Sequence, residues 1–181
     1  KGGEWRPALA LLSEMQTGGL EPDAIICNAA ISACEKGQEW QHALALLAEL
    51  LVRGLEPNVI TYNAVISSCE KCAEWRKALD LIDDMRLHDL MMDVITCSAA
   101  ISACSKGEAW GQALSLLQMM GEGELQPNVI TYSATISACG NGGQWELAFE
   151  VLAEMQKRDL QPNIVSCSAM ISACGKCGHW E

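Results

Sequence analysis

Between Val59 and Lys71 the apolar residues Val59, Tyr62, Ile66 and Cys69 step by three, four and three. That spacing lines one face of a helix. It overrides the strand-like composition of Val59-Ile60-Thr61-Tyr62, because the alternation a strand needs fails at Ala64-Val65-Ile66. Pro57-Asn58 supplies a start, with Asn58 the expected N-cap. A second helix is predicted to open near Trp75, where Trp75, Ala78, Leu79, Ile82 and Met85 form an apolar stripe. The linking segment is clearest in Arg53-Gly54-Leu55-Glu56-Pro57, where Gly and Pro stop a helix.

This helix-turn-helix pattern recurs every 35 residues. Trp5, Trp40, Trp75, Trp110, Trp145 and Trp180 keep the interval, as do the series starting at Ile31, Cys34 and Leu20. A period kept by every large residue predicts a repeat array, each unit burying its apolar face against its neighbours. The expected fold is an all-α solenoid. The units are cut as 24–58, 59–93, 94–128 and 129–163, with the second half of a unit in 1–23 and a first half in 164–181. Both ends cut through a unit, so one continuous solenoid belonging to a longer array is expected, with any targeting segment elsewhere. Small residues such as Ala64, Ser68, Ala99 and Ala103 would let first helices approach closely, and the loop leucines would plug the joints.

The other face of the first helix is harder to explain by packing. In the unit 59–93 it carries Ile60, Asn63, Ser67 and Lys71. The outward aliphatic returns as Ile25, Ile95, Ile130 and Val165. A merely solvated face has no use for it five times over. Such a row, beside small hydrogen-bonding groups and a lysine, suits flat, partly apolar, anionic ligands spaced at one per repeat.

Composition constrains the partner. Asp and Glu outnumber Lys and Arg by 23 to 12, a net charge of −11, so the surface as a whole is no basic nucleic-acid footprint. Much of that acid (Asp80, Asp83, Asp84, Glu150, Glu154) falls on second helices. No apolar run reaches membrane-spanning length. Five of the ten cysteines hold the Cys34 position, and Cys27, Cys97 and Cys167 exchange with Tyr62 and Tyr132 at another, which is the behaviour of buried hydrophobes in a reducing setting. Cys69-x-x-Cys72 and Cys174-x-x-Cys177 have zinc-like spacing. They lie three repeats apart, and Cys34, Cys104 and Cys139 hold the same position as Cys69 and Cys174 without a partner, so no metal and no cofactor is expected. His42, His88 and His179 read as solvated. No nucleophile, base and orienting group recur together, and no catalysis, small-molecule substrate or membrane partner is expected.

Units of 35 residues reading Asn58-Val59-Ile60-Thr61-Tyr62-Asn63-Ala64, then Cys69-Glu70-Lys71, Trp75, Ala78-Leu79 and Leu90, resemble pentatricopeptide repeats over essentially the whole chain. The departures are Met91-Met92 in place of Glu-Pro or Gln-Pro, and Asn141 in place of Lys. The resemblance implies a right-handed superhelical solenoid with single-stranded RNA bound on its concave surface, one base per repeat. It implies that Ile25, Ile60, Ile95, Ile130 and Val165 sandwich bases. It pairs the fifth and last residue of each unit for base reading: Asn28 with Asn58, Asn63 with Asp93, Ser98 with Asn128, Ser133 with Asn163. Asp23 and Ser168 are half-pairs, and Lys36, Lys71, Lys106 and Lys176 would lie near phosphates. The family's usual setting implies a mitochondrion or chloroplast, and RNA-processing proteins as further partners.

The chemistry of the pairs agrees. A carboxylate only accepts, so Asp93 suits a base with an N–H on its pairing edge, uracil or guanine; an Asn amide also donates, which suits cytosine or adenine. A short Ser leaves room for a purine where Asn reaches a pyrimidine. With the family's code and its parallel orientation the implied site is 5'-(C/U)UAA-3'. N-capping alone would also explain Asn58, Asp93, Asn128 and Asn163, but not the aliphatic row. The rival reading is a scaffold gripping a peptide in the concave groove.

Overall fold

The computed structural model describes residues 4–123 and 125–177, without the side chains of 176 and 177. Among these residues the chain is all-α: α1 (Trp5–Thr17), α2 (Ala24–Gly37), α3 (Trp40–Val52), α4 (Val59–Lys71), α5 (Trp75–Leu87), α6 (Val94–Lys106), α7 (Trp110–Glu122), α8 (Val129–Asn141), α9 (Trp145–Lys157) and α10 (Ile164–Cys177). The β-branched run at Val59 is helical because its apolar residues fall on one side, and Tyr62, Ile66 and Cys69 have no exposed surface.

The chain divides into two compact units. In one, α2 packs against α1, α3 and α4, and α3 against α4. Its interior is built from Ile31, Cys34, Leu50, Tyr62, Ile66 and Met85. The Tyr62 hydroxyl donates to Asp84 Oδ2 at 2.6 Å, which ties α4 to α5.

In the other, α6 packs against α7 and α8, and α8 against α7, α9 and α10. Ile101, Met120, Tyr132, Ile136 and Met155 form its interior. Tyr132 donates to Glu154 Oε1 at 2.9 Å, the counterpart of the Tyr62 bond. A Cβ on Gly140 would stand 3.1 Å from Ala173 Cβ, so small residues do set the approach of α8 to α10.

Hairpin turns place one residue at positive φ: Gln38, Ala73, Glu108 and Gly143. Gly54 takes the same region in the loop after α3, where a side chain would be strained. Trp5, Trp40, Trp75, Trp110 and Trp145 are half-buried, each opening a second helix, and Trp180 lies outside the described residues. Trp110 covers the turn at Gly142, where an added Cβ would stand 2.2 Å from its ring; Trp5 meets Gly37 in the same way.

Two expectations need correction. Leu20 is 61% exposed and Leu55, Leu90, Leu125 and Leu160 are only half-buried, so the loop leucines do not plug closed joints. Leu20 and Leu55 instead line an open cavity of about 560 Å³ with Gln16 and Arg53. Cys167 is exposed and Ile171 is 74% exposed, unlike Cys97 and Ile101, because no second helix covers that face of α10 among the described residues. His42 and His88 are exposed, as expected, with His88 Nδ1 2.9 Å from the Asp84 carbonyl, and His179 lies outside the described residues.

Candidate nucleic-acid interface

The N-terminal turns of the first helices are built alike. Asp23, Asn58, Asp93 and Asn128 cap α2, α4, α6 and α8, each in extended backbone. Their Oδ1 atoms accept from Ile26 N (2.9 Å), Thr61 N (3.0 Å), Thr96 N (2.7 Å) and Thr131 N (3.0 Å). Asn163 does the same at α10, accepting from Val165 N and Ser166 N, both at 2.9 Å. The capping explanation is therefore correct for one atom of each side chain. It uses only that atom: the Nδ2 groups of Asn58, Asn128 and Asn163 take no part in the cap.

One residue into each helix stands the aliphatic. Ile25, Ile60, Ile95 and Ile130 are 77%, 70%, 64% and 63% exposed, and Val165 is 52% exposed. Ile31, Ile66, Ile101 and Ile136, on the same four helices, have none of their surface exposed. Leaving a large aliphatic in water forgoes about 1.5–3 kcal/mol of burial each time. The same position on five first helices thus carries a large exposed aliphatic.

The fifth residues lie deeper than an outward-facing position predicts. Asn28 and Asn63 are half-buried, while Ser98 and Ser133 are 8% and 3% exposed. The cause is local bonding. Ser133 Oγ donates to the Val129 carbonyl at 2.7 Å and lies 3.3 Å from Asn163 Oδ1. Ser98 Oγ is 2.8 Å from Thr131 Oγ1, which is itself 3.1 Å from Asn128 Oδ1. Thr61 Oγ1 likewise lies 2.7 Å from Asn28 Oδ1 and 3.1 Å from Asn58 Oδ1. The pairs Asn28/Asn58 and Ser98/Asn128 are thus each joined in one hydrogen-bond network, while Ser133 Oγ lies beside Asn163 with its proton on the Val129 carbonyl. The hydroxyls at Thr61 and Thr131 were missed in the sequence, although Thr61, Thr96, Thr131 and Ser166 kept the 35-residue period.

The lysines differ among themselves. Lys36 and Lys106 are exposed. Lys71 Nζ donates to the Glu35 carboxylate at 2.9 Å and to the Glu35 carbonyl at 3.2 Å. Asn141 donates to the Ser105 carbonyl at 3.1 Å in place of a lysine. The side chain of Lys176 lies outside the described residues. Between α8 and α10 an open cavity of about 390 Å³ is lined by Ser137, Asn141, Val165, Ser168 and Ser172, on the side that carries the exposed valine.

Burial raises the Cys34 thiol and pushes those of Cys104 and Cys139 up to about 11, so they stay protonated at neutral pH. Cys69 is buried as well. Among the described residues no three His, Cys, Asp or Glu side chains gather as metal ligands, and no helix is long and apolar enough to cross a membrane.

The profile of the pentatricopeptide repeat domain matches residues 10–71 and 115–177. The chain belongs to the pentatricopeptide repeat family. Two narrower profiles of these repeats match residues 57–106 and 95–124. Among solved structures, PPR10 in complex with an 18-nucleotide psaJ RNA element is similar at 27% identity and a TM-score of 0.78, over 96% of this chain and 26% of that one. PPR10 from maize is similar at 28% identity and a TM-score of 0.70, over 95% of this chain and 24% of that one. The PPR domain of Arabidopsis thaliana protein-only RNase P 1, in complex with tRNA, shares the fold at 17% identity and a TM-score of 0.75, over 87% and 83%. The chain thus spans about a quarter of the length of PPR10. No curated relative matches at the level of sequence. The fold class is the all-α solenoid of stacked helix-turn-helix repeats.

Proposed function

We propose that this chain binds single-stranded RNA, one base per 35-residue unit, with the units cut at 24–58, 59–93, 94–128 and 129–163, and that it catalyses nothing itself. The observation that carries the proposal is the row Ile25, Ile60, Ile95, Ile130 and Val165, exposed at one place on five first helices two residues after the capping residues. A base stacked on such a side chain gains apolar contact whatever its identity, while the neighbouring polar pair can sort bases. The similarity to PPR10, whose described complex holds an RNA element, supports the same ligand class.

The pairs Asn28/Asn58, Asn63/Asp93, Ser98/Asn128 and Ser133/Asn163 would then select 5'-(C/U)UAA-3'. Lys36, Lys71, Lys106 and Lys176 would face the phosphates. Family membership supports a role in organelle RNA processing, stabilisation or translation, in mitochondria or chloroplasts and alongside RNA-processing proteins. The net charge of −11 favours the rival, a peptide held by the same exposed aliphatics.

The test is binding to CUAA embedded in an unstructured RNA, against permuted sites. Asp93→Asn replaces an acceptor by an amide and should move the preference at the second base from uracil towards cytosine, by roughly tenfold. Binding that persists with unchanged discrimination at that base would reject the code. Binding to none of the RNAs would reject the RNA reading in favour of the peptide.

A further inference from the structure

The code as read leaves the first base open between cytosine and uracil, and the atoms around Thr61 close that choice. Thr61 is 1% exposed, so its hydroxyl must be satisfied by protein. Its oxygen accepts from the Asn58 backbone N–H at 3.2 Å. The hydroxyl has one proton and two nearby acceptors, Asn28 Oδ1 at 2.7 Å and Asn58 Oδ1 at 3.1 Å. The shorter distance is that of an O–H···O bond, and Asn58 Oδ1 is already held by the Thr61 N–H at 3.0 Å. The proton therefore goes to Asn28.

This bonding fixes both amides. Asn28 and Asn58 each have the carbonyl oxygen turned into the protein, which leaves Nδ2 as the group each can offer a ligand. Cytosine presents two adjacent acceptors, O2 and N3, on its pairing edge. Uracil presents O2 and then an N3–H, which would meet an amide N–H head on. Placing donor against donor in a partly buried site costs a hydrogen bond and leaves both groups unpaired.

Resting on the RNA reading above, we infer that Thr61 is a positioning residue that sets the first unit to cytosine. It locks the Asn28 and Asn58 amides as donors. The residues that decide the base at this unit thus include one from α4, the first helix of the next unit, 33 positions on from Asn28. In the third unit the same hydroxyl, Thr131, meets a serine instead of an amide, so there it has no amide at the fifth position to orient.

The test compares wild type, Thr61→Val and Thr61→Ser on CUAA and UUAA sites in the same unstructured RNA. Valine keeps the shape and still supplies its N–H to the Asn58 cap, but removes the hydroxyl. Wild type should prefer cytosine at the first base by about tenfold or more. Thr61→Val should reduce that preference to about twofold or less, leave discrimination at the other three bases unchanged, and gain affinity for UUAA relative to CUAA. Thr61→Ser should restore the preference. A purely structural role predicts a different result, equal weakening on both RNAs, and that outcome overturns the inference. So does a wild type that binds CUAA and UUAA alike. A wild type that binds no RNA rejects the RNA reading itself, and is seen before any variant is made. In the free protein the side-chain amides of Asn28 and Asn58 should give distinct NMR signals that shift in Thr61→Val and return in Thr61→Ser. Signals indifferent to both changes would refute the lock without reference to RNA.

Discussion

Ile60 and Ile66 sit on the same helix, α4, less than two turns apart. One is 70% exposed and the other has no exposed surface. The same contrast separates Ile25 from Ile31, Ile95 from Ile101 and Ile130 from Ile136. An isoleucine is thus used for two purposes at fixed addresses, and its chemistry alone reveals neither. Position on the helix does: the inner series continues the stripe of Tyr62 and Cys69, and the outer series follows the caps. The inner face stabilises the hairpins, and the outer face leaves apolar surface exposed.

Breaking the contrast directly should give the largest effect. Ile66→Ala removes a fully buried side chain and should cost about 2–5 kcal/mol of stability, read by denaturant unfolding. Ile60→Ala removes one that water already reaches, and should leave stability within about 0.5 kcal/mol of wild type. On RNA the order reverses. Ile60→Ala should weaken every sequence alike, because the lost contact is to the face of a base. If Ile60→Ala unfolds the protein as readily as Ile66→Ala, the two faces are not distinct in the way claimed. If it leaves RNA affinity untouched, the peptide reading gains.

The inner face also predicts a response to alkali. Tyr132 has no exposed surface, and burial, followed by its bond to Glu154 and the charge of that carboxylate, pushes its phenol up to about 12. In the unfolded chain the phenol titrates near 10. A folded value above the unfolded one means the contribution to stability is complete below about pH 10 and is lost as pH rises towards 12. Stability should therefore fall across that window, and Tyr132→Phe should flatten the fall without changing the acid side. Cys104 and Cys139, raised to about 11 by burial, begin their own loss from about pH 9, so the comparison of variant with wild type isolates the tyrosine. An equal alkaline slope in both proteins would place the ionisation elsewhere.

How much of this was legible in the sequence follows the same division. The inner stripe and the outer aliphatics could be read from spacing, because both depend only on angle around a single helix. The depth of Ser98 and Ser133 could not, since it comes from bonds to Thr131 and to Val129 and Asn163 that spacing does not encode. The Thr61 to Asn28 bond joins residues 33 apart and becomes visible only when α2 and α4 are packed. The glycines under the tryptophans carried a signal at the right interval, Gly37, Gly107 and Gly142, which has meaning only once an added Cβ is seen to meet the ring. Cys167 departs from its repeat position because burial requires a covering helix, which the spacing along one helix does not encode.

The smallest expected effect lies on the outer face, at its charges. Lys71 is held by Glu35 across two first helices, with side chains 33% and 26% exposed. An ion pair of that exposure is worth only about 0–1 kcal/mol to the fold, so either partner can be changed with little loss of stability. For RNA the pair matters differently: a phosphate near Lys71 must compete with a carboxylate 2.9 Å from the ammonium. Glu35→Gln removes the competitor and its repulsion of the phosphate together. RNA affinity at low salt should rise by a few-fold, and the dependence of log K on log salt should steepen by up to about 0.7, one further counterion released from a single strand. Lys71→Gln should move both in the opposite direction. Base preference should change in neither variant, because a phosphate carries no sequence information. An affinity at low salt that is the same in Glu35→Gln as in wild type would remove Lys71 from the RNA path and leave the ion pair as a clasp between α2 and α4.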